Sequence, residues 1–188
     1  LVVGEKAMQA GAFIPACQYL RTAHKLLLRT ASPWDNRYDL TLRTFTAWMD
    51  AELALGNNDT GYNIGQEILN KARETDDKFP TYRALAWSLA RQERNSEALD
   101  YCLIALPELC WFPSGFYFLQ GMRKMRDINR LLDKHSNNDI LRLPKLADEK
   151  HVMASEFLVK GCQNAYLCNN LFQSLVCMLL NIELNFKR

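Results

Sequence analysis

The sequence has no Cys-x-x-Cys pair, although it contains six cysteines. Cysteines paired at that spacing are typical of zinc sites and redox centres, so the sequence favours neither. The six lie mostly within apolar stretches of helical periodicity: Cys17, Cys102, Cys110, Cys162, Cys168 and Cys177. A free cysteine in such a position behaves as a small apolar residue and is typical of a reducing compartment. We therefore expect reduced, buried thiols and a cytoplasmic location.

The chain also lacks an uninterrupted apolar run of membrane-spanning length. Its most apolar segment, residues 165–184, is interrupted by the polar side chains Asn169, Asn170, Gln173 and Ser174. We interpret this segment as one or two buried helices and expect no membrane span. The chain begins LVVGEKAMQA, without an initiator Met, a basic region or a small-residue cleavage site. We expect no signal peptide and interpret the chain as a fragment of a longer protein.

Charge of either sign is nearly balanced, with a net charge of +2 at pH 7 over 188 residues. This length suits one domain of ordinary globular composition. The local basic excess lies in RKMRDINR, residues 123–130, which we interpret as a solvated helix face, and we expect no nucleic-acid partner. A nucleic-acid-binding helical repeat is the alternative, favoured if Arg123, Lys124, Arg126 and Arg130 are continuous with other basic residues.

Val, Ile and Thr do not gather into alternating, strand-like runs, whereas apolar residues recur at helical spacing along the chain. We therefore predict an all-α fold. One apolar stripe consists of Tyr38, Leu42, Phe45, Met49 and Leu53. A second consists of Tyr82, Leu85, Ala86 and Leu89, and Pro80 is suited to the first turn of that helix.

A small-large-small pattern occurs twice. Its members are Ala16, Leu20 and Ala23 in GAFIPACQYLRTA, and Ala98, Cys102 and Ala105 in SEALDYCLIALP. The pattern is typical of the second helix of a tetratricopeptide (TPR) hairpin, where small residues let two helices approach closely. The two copies leave room for two hairpin periods of about 40 residues, with a degenerate copy between them in YNIGQEILNKA. We predict tandem helical hairpins, a TPR-like α-solenoid, with a C-terminal helical segment; unrelated helices in a bundle are the alternative.

The stretch GNNDTGYN, residues 56–63, raises the question of a phosphate-binding loop. Such a loop follows a strand and carries Lys and then Ser or Thr after its last glycine, where this chain has Tyr62 and Asn63. A calcium-binding loop fails because Gly56 occupies the place of the first carboxylate. We predict instead that Gly56 ends a helix and that Asp59 or Thr60 caps the next one. No cofactor is expected.

Candidate catalytic groups are few. A Cys and His pair would need a thiol beside His24, His135 or His151, and no cysteine lies in a recognisable nucleophile motif. Cys162, Cys168 and His151 would supply at most three zinc ligands, so core thiols are favoured. The carboxylates of RETDDK, residues 73–78, are interpreted as polar residues of a helix end and a turn. We expect no catalytic or metal site, and a thiol-dependent enzyme is the third hypothesis.

The expected organisation is helical-hairpin repeats over residues 1–110, an aromatic and basic connector over 111–146, and C-terminal helices over 147–188. In a hairpin array the first helices line the concave surface, so residues opposite their buried stripes are candidate partner contacts. These candidates are Arg43, Asp50, Arg83, Trp87 and Arg91. Trp111 and Phe116 belong to the aromatic run CWFPSGFYF, a second candidate contact, for which we favour packing between subregions.

The order of several blocks resembles one family: KAMQAGAFIPACQYLRTAHKLL, YDLTLRTFTAWMDAELALGNND, SEALDYCLIAL, DILRLPKLADEK and NAYLCNNLFQSLVCMLLNIEL. This family is the helical-repeat region that follows an AAA-type, STAND-like ATPase module in large signalling proteins carrying serine/threonine kinase, histidine kinase or cyclase domains. The resemblance implies a non-catalytic interaction or regulatory module that binds a protein partner or its own neighbouring domains. The family's nucleotide-binding motifs lie upstream of this region, so the resemblance places no ATP contact on this chain. The oligomeric state is left open.

Overall fold

The computed structural model describes residues 1–135 and 148–186, and those residues contain helices and no strand. The all-α prediction is therefore confirmed for this part of the chain. The helices are α1 (Val2–Gln9), α2 (Phe13–Leu27), α3 (Pro33–Asn36), α4 (Tyr38–Ala54), α5 (Asn58–Lys71), α6 (Thr75–Arg91), α7 (Asn95–Leu109), α8 (Tyr117–Leu132), α9 (Glu149–Leu167) and α10 (Leu171–Phe186). Among these described helices none combines the length and apolarity that a membrane crossing requires.

The first compact unit, Leu1–Ser88, is built from helices that pack in chain order. The helix α1 packs on α2, α2 on α4, and α4 on α5. Small residues form the seam between α2 and α4, where Ala16 and Leu20 are fully buried beside Cys17 and Ala51. The burial expected of the first small-large-small copy is confirmed for Ala16 and Leu20. Because α2 begins at Phe13, Pro15 lies in its first turn, where a missing N–H leaves no helical hydrogen bond unmade.

The turn between α4 and α5 closes in the way expected of Gly56. This residue has φ +81°, the left-handed conformation that glycine adopts without strain. The Asn57 N–H donates to Glu52 O at 2.9 Å and the Gly56 N–H to Leu53 O at 3.2 Å, which together form a Schellman motif. The predicted caps Asp59 and Thr60 are wrong, because α5 already begins at Asn58. The turn is therefore shorter than predicted. Asn57 immediately precedes α5, and its side chain donates to Glu52 instead of capping α5.

The helix α5 approaches α4 closely because it carries glycine on its buried face. A Cβ atom on Gly61 would overlap the Leu53 side chain of α4, and one on Gly65 would lie 3.2 Å from Met49 Sδ of the same helix. The second glycine of GNNDTGYN therefore serves helix packing. The apolar stripe predicted for α4 is confirmed for Phe45, Met49 and Leu53, which are buried.

The helix α6 begins at Thr75, so Pro80 lies in its interior and not in its first turn as predicted. Asp76 and Asp77 occupy the first turn, where a carboxylate interacts favourably with the partial positive charge of the helix N-terminus. Pro80 has no N–H to donate to the carbonyl of Asp76. The interpretation of residues 75–78 as a turn is therefore wrong: these acidic residues start a helix and face the groove described below.

In the second compact unit, Leu89–Arg188, the helices pack out of chain order. The helix α7 packs against α9, α9 against α10, and α8 against α10. The second small-large-small copy is buried as expected, with Ala98, Cys102 and Ala105 at 0% exposure. Of the one or two buried helices expected in residues 165–184, the structure has the end of α9 and most of α10, separated around Asn169 at φ +61°. The expected burial is wrong where they meet, since Leu167 and Leu171 are exposed.

The predicted segments 1–110, 111–146 and 147–188 remain predictions. By contacts, residues 89–110 belong to the second unit together with the C-terminal helices. The predicted connector contains α8 and extends into residues 136–147, which lie outside the described residues. Most of the block DILRLPKLADEK lies outside them as well.

Candidate functional site

A groove of about 420 Å³ opens beside α4 in the first unit. Its α4 residues recur at intervals of three and four, so they share one face of the helix. Among the described residues, the lining consists of Asp39, Leu42, Arg43, Thr46, Ala47 and Asp50 of α4, with Glu5 of α1 and Asp76, Asp77 and Pro80 of α6. Of these ten described residues, five are carboxylates and one is a cation. The groove is therefore concave and acidic.

The single cation of the groove lining is already paired. Arg43 Nε donates to Glu5 Oε1 at 2.6 Å, and Arg43 Nη2 donates to Oε2 at 2.7 Å. These hydrogen bonds raise the pKa of Arg43 and hold its guanidinium in a bidentate geometry. Because this pair is neutral as a whole, the four aspartates set the net charge of the groove.

The surroundings of Asp50 in this groove shift the pKa of its carboxyl group. Burial raises its pKa to about 6, and the attraction of the Arg83 guanidinium, which acts in the opposite sense, does not cancel the effect. Among the described residues no hydrogen bond contributes to the pKa of this carboxyl group. A buried carboxylate without hydrogen-bond donors is costly, and an added cation would relieve that cost.

The edge of the groove is fixed by Tyr38 at the start of α4. Its hydroxyl donates to Asp77 Oδ2 and accepts a hydrogen bond from the Arg73 backbone N–H at 2.8 Å. The Arg73 guanidinium lies 4.4 Å from the centre of the Tyr38 ring, a cation–π distance. Burial and the hydrogen bond to Asp77 raise the pKa of Tyr38. Asp77 is therefore held in place at the mouth of the groove.

The opposite face of α4 carries a second buried carboxylate, Glu52, with contrasting surroundings. Its side chain has 0% exposure. Arg21 donates through Nε at 2.7 Å and Nη2 at 2.9 Å, Trp48 Nε1 donates at 2.6 Å, and Asn57 Nδ2 at 2.8 Å. Burial alone would raise the pKa of Glu52, but these hydrogen bonds outweigh it and lower the pKa. Glu52 joins α2, α4 and the α4–α5 turn.

The structure brings together only part of the predicted contact set. Arg43 and Asp50 line the groove, and Arg83 is close enough to Asp50 to affect its pKa. Trp87 is half-buried, and Arg91 is exposed in the second unit. Glu5, Asp39, Asp76 and Asp77 were missed. All four are acidic residues in the first turn of a helix, which is a signal that the sequence carries.

The aromatic run CWFPSGFYF is more exposed than expected. Trp111 is 58% exposed, Phe116 83% and Phe118 51%, so the interpretation as buried packing is wrong for these three rings. Phe116 is held outward because it has a positive φ of +50° and immediately precedes α8. Phe112 and Tyr117 are half-buried, with ring centres 6.3 Å apart.

A second cavity, of about 360 Å³, lies within the second unit and contains a paired lysine. Its mainly apolar lining consists of Leu109, Cys110, Trp111, Lys124, His151, Leu158, Leu180, Glu183 and Leu184. Lys124 Nζ lies 4.8 Å from the Trp111 ring centre and donates to Glu183 Oε2 at 2.5 Å. Lys124 is only 15% exposed, so it does not share the exposed basic face that the nucleic-acid alternative requires.

Three of the thiols have the opposite electrostatics to those of a nucleophile. Burial raises the pKa of Cys102 and Cys177 to about 12 and that of Cys110 to about 11, whereas a reactive thiol needs a lowered pKa. Within the described part of the chain, no group of His, Cys, Asp and Glu is arranged to hold a metal ion. His151 and Cys168 lie at opposite ends of α9, roughly 25 Å apart at 1.5 Å per residue.

Comparison of the chain with protein-family models, with curated proteins and with solved structures gave no match.

Proposed function

We propose that this chain is a non-catalytic, TPR-like helical-repeat module whose acidic groove binds a basic segment of a protein partner or of a neighbouring domain. The architecture supports this proposal through the chain-order packing of α1, α2, α4 and α5, which is how helical hairpins stack. The resemblance to the repeat region of STAND-like signalling ATPases supports a regulatory role inside a longer cytoplasmic protein.

The observation that carries the proposal is the raised pKa of Asp50, a residue that lines the groove. A carboxylate whose pKa is raised to about 6 by burial destabilises the folded chain at neutral pH, and yet it lies in an open groove. An electrostatic cost of this kind is typical of binding sites, where the bound ligand relieves it. A Lys or Arg side chain inserted beside Asp50 would add a second cation to the attraction that Arg83 already exerts.

The other lining residues define what the ligand offers. The four aspartates attract more than one positive charge, whereas Leu42, Ala47 and Pro80 provide apolar wall for the stem of a long side chain. Tyr38 holds Asp77 in place, which lowers the entropy lost on binding. The matching ligand is a short peptide segment with Lys or Arg residues and intervening small residues.

The proposal is tested by titrating the chain with two short synthetic peptides, one of alternating Lys and Ser and one of alternating Glu and Ser, by fluorescence anisotropy. We expect the Lys peptide to bind and the Glu peptide not to bind. Asp50→Asn should weaken the Lys peptide about tenfold or more, which corresponds to 1.4 kcal/mol. The matched control is Asp59→Asn, which removes the same charge from an exposed position outside the groove.

Binding should also depend on pH with a defined sign. Protonated Asp50 cannot pair with a cation, so affinity should fall as the pH decreases through about 6, the pKa of this group. Conversely, binding should lower the pKa of Asp50 and release a proton when it occurs near pH 6. Equal losses of affinity in Asp50→Asn and Asp59→Asn would mean that only net charge matters, and the groove would then have no role.

A further inference from the structure

The solvent-facing side of α8 in the second unit carries a row of exposed apolar side chains. Phe118 is 51% exposed, Leu119 62% and Met122 60%. The row continues onto α10, because the Phe172 ring, also half-exposed, meets the Phe118 ring edge to face at 5.0 Å between centres. The adjacent side of α8, which carries Gly121, faces the interior: a Cβ on Gly121 would lie 3.5 Å from Leu175 Cδ2 of α10. We call the exposed side the α8–α10 face.

Three arginines lie along the same side of α8. Arg123, Arg126 and Arg130 are exposed and are spaced by three and four residues, so they form a basic stripe. Within the described residues, none of the three takes part in an ion pair. Arg126 follows Met122 by four positions, so its cation lies one turn from the apolar row. The Lys124 side chain instead donates to Glu183, so it does not belong to the basic stripe.

We propose that the α8–α10 face binds an acidic amphipathic helix of a protein partner. Such a helix has an apolar stripe that would cover Phe118, Met122 and Phe172, and a flank of Glu or Asp that would pair with the arginine stripe. Charge complementarity selects this occupant, since each exposed arginine presents a fork of donors that fits a carboxylate. Methionine and phenylalanine adapt to varied apolar partners, as in other surfaces that bind helices.

Nucleic acid fits this face less well. Asp127 lies on α8 between Arg126 and Arg130, and its carboxylate would repel the phosphate backbone that such a stripe would otherwise attract. An anionic membrane surface would use the same arginines and apolar residues, so it is an outcome to be distinguished by experiment. The proposal goes beyond the groove of the first unit and shares no residue with it.

The test uses a synthetic amphipathic helix with Leu at positions i, i+3 and i+4 and Glu along one flank, with Lys in place of Glu in the matched peptide. Isothermal titration should show at least tenfold tighter binding of the Glu peptide. Arg126→Glu combined with Arg130→Glu should abolish that preference and make the Lys peptide the tighter ligand. Phe118→Ser should weaken both peptides.

The matched control is Lys25→Glu combined with Arg29→Glu, which makes the same change in net charge on exposed residues of the first unit. This control should leave the Glu peptide unaffected, and Asp50→Asn should do so too, which separates this proposal from the groove. Far-ultraviolet circular dichroism establishes that each variant is folded. Equal binding of the two peptides, or an unchanged affinity in the arginine variant, would overturn the proposal.

Three alternative occupants are measured with the same variants, and each would overturn the proposal. They are vesicles containing phosphatidylserine, a single-stranded RNA oligonucleotide and a second copy of this chain, the last monitored by analytical ultracentrifugation. The criterion is the same for all three. If an occupant binds the chain more tightly than the Glu peptide does, and the Arg126→Glu/Arg130→Glu variant no longer binds it, the face is assigned to that occupant instead.

Discussion

On the face of α4 that packs against α2 and α5, Glu52 is buried together with four N–H groups that donate to its carboxylate. On the groove face of the same helix, Asp50 is half-buried, no hydrogen bond contributes to its pKa, and the effect of burial outweighs the attraction of Arg83. The two carboxylates respond in opposite directions, since the pKa of Glu52 is lowered and that of Asp50 is raised. Burial alone therefore does not determine the charge state of a carboxyl group. The hydrogen bonds that accompany burial determine it.

We propose that this difference separates a structural role of Glu52 from a binding role of Asp50 on one helix. Glu52 ties three elements together and leaves no position for a ligand, because its oxygens already accept from Arg21, Trp48 and Asn57. Asp50 contributes no comparable connection and faces a groove. Substitutions at the two positions should therefore change stability in opposite directions.

The largest effect is expected at Glu52. Glu52→Gln keeps the shape of the side chain but sets an NH2 group against the donors of Arg21 and Asn57, so the free energy of unfolding should fall by about 2 to 4 kcal/mol at pH 7. The pKa of Glu52 is lower in the folded chain than in the unfolded chain, so its carboxylate stabilises the fold above the unfolded-state pKa. This stabilisation is lost as the pH falls through the folded-state pKa. The destabilisation caused by Glu52→Gln should therefore be smaller in acid.

Urea unfolding followed by circular dichroism measures this cost, with the exposed Glu74→Gln as the control. If Glu52→Gln proved as stable as the control, the hydrogen bonds of Glu52 would contribute little, and the contrast between the two faces would disappear.

The next effect tests how tightly the Glu52 face is packed. Ala16→Trp places a large ring in the seam between α2 and α4, where Ala16 has 0% exposure, and should cost at least about 1 to 3 kcal/mol. Ala98→Trp makes the equivalent change in the second unit, where Ala98 also has 0% exposure. Ala54→Trp, at an exposed position of α4, is the control. Near-neutral urea melts for both buried variants would show that the small residues do not mediate close packing.

A smaller change of opposite sign is expected at Asp50. Its folded-state pKa of about 6 lies above the unfolded value of about 3.9, so the folded chain should lose stability as the pH rises from 4 to 6. Asp50→Asn should remove that loss and stabilise the chain by about 1 to 2 kcal/mol at pH 7, with no gain at pH 3.5. Urea melts of the wild type and variant at both pH values measure this. Destabilisation at pH 7 would assign Asp50 a structural role like that of Glu52.

The sequence predicted the class of fold and the buried faces better than it predicted the site. Periodicity alone identified the helices and the burial of Ala16, Leu20, Ala98 and Cys102, because helix spacing is a local property. The burial of Glu52 could not be predicted, since Arg21, the cation that pairs with it, lies on α2 and meets α4 only in the folded chain. The predicted start of α6 is too late, because Pro80 favours a first turn whereas the acidic residues Asp76 and Asp77 before it already form that turn.

The candidate site was predicted only where it depended on one helix. Arg43 and Asp50 were selected because they lie away from the buried stripe of α4, and both line the groove. Their partners Glu5, Asp76 and Asp77 belong to α1 and α6, whose approach to α4 depends on tertiary packing. Charged residues carry no periodic signal that would indicate such an approach.

The smallest expected effect concerns the turn that connects α4 to the Glu52 network. Gly56 has a positive φ of +81°, and a Cβ placed there would meet no other atom, so conformation alone limits what can replace it. Gly56→Val should lower stability by about 1 kcal/mol or more, because a β-branched side chain is strained at positive φ. The Asn57 side chain, which follows directly, would then also be displaced from Glu52. Gly56→Asn, which tolerates this conformation, should lose much less.

Isothermal titration with Mg-ATP beside the urea melts completes this test. A helix C-terminus predicts loss of stability in Gly56→Val with no nucleotide binding by either protein, whereas a phosphate loop predicts micromolar binding by the wild type that the substitution abolishes. The Schellman hydrogen bonds from Gly56 and Asn57 occupy the backbone N–H groups that a phosphate would need, which is the physical reason for expecting the first result. Saturable micromolar binding of ATP to the wild type would contradict it.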